Sequence, residues 1–80
     1  MKTDVVYLRH ILDAIQQIHS YTQDGKVVFL GDRKTQDAVL RNIEIIGAAA
    51  KRVSPAFKAH TADLPWKQIA GMRDKVIHDY

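Results

Sequence analysis

Cysteine is absent from this 80-residue chain, which excludes disulfides and thiolate metal sites. Proline occurs only twice and glycine four times, too few for a flexible, breaker-rich polypeptide. Long apolar runs are missing too. No stretch reaches the roughly 18 residues a transmembrane helix needs, and no charged-then-apolar leader opens the chain, so a cytoplasmic protein without a membrane partner is expected. Nor does one sign of charge dominate. Twelve basic and nine acidic residues leave +3, which permits contact with a polyanion without announcing it, because nucleic-acid domains usually cluster their charge more tightly.

What is present is 46% apolar and 26% charged residues, the balance of a globular, helix-rich chain. A domain this short buries only about 60 to 65% of its unfolded surface, so its core is marginal and a partner subunit would help. Val5, Leu8, Ile11, Leu12, Ile15 and Ile18 recur at three- and four-residue spacing, predicting a helix from Asp4 to about Thr22 with Thr3 or Asp4 as cap. QDGKVVFLGDR follows, its run Val27 to Leu30 too short for a helix. It reads as a linker that plugs the bundle, or as an edge strand. A second helix is expected from Asp32–Thr35 to Val53, with Val39, Ile43, Ile46, Ala50 and Val53 as a bundle seam. Gly47 to Ala50 are small enough to admit another helix closely, and Ser54-Pro55 ends the run. PAFKAHTAD suggests one loose turn. A third helix then runs from Asp63 or Trp66 to Tyr80, capped by Asp63, with Gly71 as its candidate break point. The fold class is all-α, an antiparallel up-and-down bundle of three main helices that would normally want a fourth.

The chain closes on RDKVIHDY. On a helix, Arg73, Ile77 and Tyr80 share a face, whereas His78 lies ~140° around from Arg73 and nearer Asp74. Asp74 could fix the His78 tautomer, leaving the other ring nitrogen to move protons, and Arg73 offers a planar fork for phosphate. Cleaving RNA needs a group to take the 2′-hydroxyl proton, a group to protonate the leaving oxygen and a cation for the charge growing on phosphorus. One copy holds one such histidine. A two-fold dimer would supply two histidines and two arginines around one phosphate.

RDKVIHDY also matches the Arg-x4-His-x-Tyr signature of the HEPN superfamily, and the chain resembles its HepT-like branch. The likeness extends through YLRHILDAIQQIHSYT, DRKTQDAVLRNIEIIGAAAKRVS and LPWKQIAGMRDKVIHDY, in family order. It implies a single HEPN-like helical domain over residues 1–80, three main helices of a four- or five-helix bundle. Family members continue past the tyrosine with further helices, so the domain is expected to be C-terminally short and to leave apolar stripes open. The resemblance further implies a homodimer or higher oligomer carrying a metal-independent ribonuclease site, with Arg73 and His78 as the catalytic pair and Asp74 in support. Such proteins are toxins of toxin–antitoxin modules. Their partner, a minimal nucleotidyltransferase, would silence the nuclease by adding AMP to Tyr80, whose new charge would repel RNA phosphate. No cofactor is implied.

The other polar residues carry less. His10, His19 and His60 lack the spacing of a helical metal site, so no metal is expected. Trp66 reads as a packing anchor, and Arg9, Arg41, Lys51 and Arg52 as solvated helix faces that could widen a phosphate surface. The alternative to a nuclease is a non-catalytic helical module, or an inactive remnant, that docks a nucleotidyltransferase.

Overall fold

The three- and four-residue apolar spacing near the amino terminus is realised as α1, Lys2–Tyr21. The computed structural model describes the backbone of residues 2–79 and the side chains of residues 3–75. The apolar stripe of α1 is only partly covered. Ala14 is buried and Leu8, Ile11 and Ile18 are half-buried, but Val5, Leu12 and Ile15 stand open.

Asp4 does not cap this helix, which already includes it. The residue is 3% exposed, with Oδ1 accepting from the Ser54 backbone N–H at 2.8 Å and Oδ2 from the Ser54 hydroxyl at 2.6 Å. Ser54 Oγ in turn accepts from the Phe57 N–H at 3.2 Å, so one carboxylate ties the start of α1 to the cap of a later helix. The Ser54 hydroxyl and backbone bonds hold the Asp4 carboxyl below the usual value near 3.8. A carboxyl depressed by folding stabilises fully above its unfolded value, and that stability is lost as pH falls through the lower, folded value. Asp4→Ala is therefore expected to lower the urea midpoint at pH 7 and to lose less on titration below pH ~3.8 than the parent. The remaining acid sensitivity includes Asp32, held low by Thr35 and Lys34. Midpoints measured from pH 7 to pH 2 check this; parallel curves for the two proteins would refute it.

The segment expected as a linker or strand is instead a short helix, α2, Lys26–Gly31. Its end is held from outside: Gln36 Nε2 donates to the Phe29 and Leu30 carbonyls, both at 3.0 Å. Those bonds satisfy helix-end acceptors that the segment's short length leaves open. Only Phe29 of its apolar run packs inward, while Val27 is 86% exposed.

Helix α3, Arg33–Arg52, begins as expected, with Asp32 accepting from the Lys34 and Thr35 N–H groups and from the Thr35 hydroxyl. Val39, Ile46, Ala50 and Val53 of its seam are buried and Ile43 is half-buried. PAFKAH, expected as a loose turn, is a helix, α4, Pro55–His60, because Ser54 caps it and Pro55 occupies its first turn. The last helix, α5, Trp66–Asp79, passes through Gly71 unbroken and starts after Asp63, which therefore is not its cap. Trp66 anchors the corner, its indole N–H donating to the Thr61 hydroxyl at 3.0 Å and its ring meeting Phe57 edge-on.

Helices α1 and α5 both pack along α3. Between them lies an apolar groove of about 360 Å³ lined in part by Leu8, Ile15, Ile46, Trp66, Ile69 and Met72. The architecture is all-α among the described residues, and none of their helices is long and apolar enough to cross a membrane.

Candidate functional site

The start of the RDKVIHDY segment is positioned by a glycine. Gly47 lies buried on α3 where α5 crosses it, and a Cβ there would stand 2.9 Å from the Arg73 backbone nitrogen and 3.1 Å from its Cα. The expectation that the small residues of α3 admit a close helix is met at this point. Arg73 is thereby seated directly on α3.

Lys51 follows Gly47 by one helical turn and so faces the same crossing. Its Nζ lies 2.8 Å from Asp74 Oδ1, and Arg73 Nη1 lies 3.7 Å from the same oxygen. The side chains are 41%, 39% and 51% exposed for Lys51, Arg73 and Asp74. Exposed ion pairs contribute at most about 1 kcal/mol, so this cluster adds little to the stability of the fold. Chemically it is two cations around one carboxylate, in reach of an incoming anion.

Lys51 had the pattern of a solvated helix face. What gives it another setting is Gly47 four residues before it, a signal readable only once α5 is known to cross there. The His78 side chain, its expected hydrogen bond to Asp74, and Tyr80 lie outside the described residues. The backbone of α5 does extend to Asp79, so Arg73, Asp74 and His78 share one continuous helix.

Helix α3 carries a second polar feature on its α1 side. Arg52 Cζ stands 6.0 Å from the centroid of the Tyr7 ring, and Tyr7 meets His10 edge-on at 6.2 Å. These residues overlook a hollow of about 240 Å³ floored by Ile45, Ala48 and Ala49.

Residues 11–80 match the family described as Ribonuclease HepT-like. This chain belongs to the HepT-like ribonuclease family. It is 45% identical over 75 residues to the "Probable ribonuclease HepT" of Thermococcus cleftensis, covering 92% of this chain and 68% of that protein. It is 44% identical over 82 residues to the "Gamma-glutamylcyclotransferase and putative RNase" of Methanocaldococcus jannaschii, covering 100% of this chain and 37% of that protein. A "Putative RNase" of Caldanaerobacter subterraneus is 39% identical, at 100% of this chain and 72% of that one. The HepT-like chain thus spans about two thirds of the first relative and little more than one third of the second. No solved structure matches it.

Proposed function

We propose that this HepT-like chain is a metal-independent endoribonuclease, the toxin of a toxin–antitoxin module, whose active site forms where two copies bring their α5 helices together. The observation that carries this reading is the Arg73–Asp74–Lys51 cluster at the start of the signature, seated on Gly47. Two cations beside the start of the signature support a role in holding a phosphodiester.

In the proposed reaction, the 2′-oxygen of RNA bonds to phosphorus as the bond to the 5′-oxygen breaks. One His78 takes the 2′ proton, and the protonated His78 of the second copy gives a proton to the departing 5′-oxygen. The products are a cyclic phosphate and a free 5′-hydroxyl. Histidine suits both roles because its ordinary pKa of about 6.5 populates both forms near neutrality. Arg73 clamps the phosphate oxygens and meets the charge that builds in the transition state. Asp74 orients His78. RNA cleavage by the purified chain in a chelating buffer tests this reading, and intact RNA under all conditions would overturn it.

Control falls to a minimal nucleotidyltransferase. The Tyr80 phenol oxygen attacks the α-phosphorus of ATP, pyrophosphate leaves, and the attached AMP sets an anion beside the phosphate site. Incubation with that enzyme and ATP is expected to add one AMP in the intact mass, and Tyr80→Phe is expected to remove the shift. A shift that persists in Tyr80→Phe would show that another residue is the acceptor.

A further inference from the structure

Lys51 and Arg52 are consecutive in the last turn of α3, so their side chains leave the helix ~100° apart. Lys51 turns to α5 and reaches Asp74, while Arg52 turns to α1 and stands over Tyr7. The end of α3 therefore links the proposed cleavage site to the hollow between α1 and α3.

That hollow has the construction of a site for a flat, anionic ligand. Ala48, Ala49 and Ile45 make an apolar floor, Tyr7 and His10 supply rings, and Arg52 closes one side. The guanidinium at 6.0 Å is at the outer limit, about 6 Å, of a cation–π contact, so it covers the Tyr7 ring loosely. A basic residue near a helix C-terminus is favoured by the helix dipole alone, which accounts for Arg52 but not for the partly apolar hollow it lines with Ile45, Ala48 and Ala49. Single-stranded nucleic acid meets both demands, offering a π-face to the ring and a phosphate to the arginine.

We propose that Tyr7, His10 and Arg52 form a base-binding subsite for a nucleotide of single-stranded RNA neighbouring the phosphate held at Arg73. This rests on the nuclease reading above. The base stacks on Tyr7 over the alanine floor, Arg52 turns to the adjoining phosphate, and the strand crosses the end of α3 between Arg52 and Lys51. The site positions substrate and takes no part in bond making.

The test uses the full chain and short single-stranded RNAs carrying 2-aminopurine at successive positions, with His78→Ala as the non-cleaving protein. Fluorescence quenching is expected at one preferred position. Adding Tyr7→Leu to His78→Ala should abolish that quenching and weaken binding about ten- to hundredfold. In the cleaving parent, Tyr7→Leu should raise KM with little change in kcat, and Tyr7→Phe, which keeps the ring, should retain most of the parental KM. Thermal melts establish that each variant folds; if Tyr7→Leu does not, Arg52→Gln carries the test through the same rise in KM. Cleavage with KM and quenching unmoved by these changes overturns the subsite and leaves the nuclease reading standing. RNA neither bound nor cleaved by the parent overturns both.

Discussion

Replacing His78 with alanine is expected to lower RNA cleavage by about 10²- to 10⁴-fold, the range that one positioned acid or base contributes. The proposed dimer uses two copies of this residue, so one substitution removes the base and the acid together. The loss should therefore sit toward the larger end. RNA binding should persist, because Arg73 and Lys51 remain to meet the phosphate. Cleavage against pH should be bell-shaped in the parent, since one histidine must be neutral and the other protonated. Single-turnover cleavage of a labelled RNA, with binding measured in parallel, checks the prediction. A His78→Ala protein that cuts at the parental rate would remove His78 from the mechanism, whatever the family. If binding is lost along with cleavage, the residue holds substrate instead of moving protons.

Gly47→Ala should destabilise the protein even though alanine is the better helix former. In an exposed helix the change gains about 0.8–1 kcal/mol. Here the new methyl meets Arg73 Cβ and lies 2.9 Å from the Arg73 backbone nitrogen, atoms that no rotamer change can move aside. Overpacking of this kind costs about 1–3 kcal/mol, so the net effect is a loss, and Gly47→Val should lose more. For a domain of this size each 1 kcal/mol corresponds to about 4–8 °C in the melting midpoint. Cleavage should fall as well, measured well below the midpoint of the variant, because α5 must shift away from α3 and carries Arg73 and His78 with it. A raised midpoint for Gly47→Ala would mean that the two helices do not meet at this glycine. Lost stability with full activity would mean that the crossing supports the fold without placing the site.

Much of this molecule can be read along the chain because the signals are local. The periods of α1 and α3, the Asp32 cap three residues from Thr35, and the stop at Ser54-Pro55 all arise from neighbours within a turn or two. Arg73, Asp74 and His78 stand out for the same reason, since eight consecutive residues hold the whole signature. Short α2 defeats that approach. Its six residues lack the length to be helical on pattern alone, and what completes its end is Gln36, reaching back six and seven residues.

Local pattern was sufficient for the all-α class, the three long helices, the close approach allowed by Gly47 and the candidate chemistry of the last helix. It could not assign Asp4, whose partner Ser54 is 50 residues away, or Lys51, whose partner Asp74 is 23 residues away. Nor could it set Tyr7, His10 and Arg52 around one hollow. A helix's period states which face turns inward, but not which residue of another helix it will meet. That pairing depends on where two rods cross, and here the crossing is set by the one position on α3 where a missing Cβ lets the backbone of α5 come within contact.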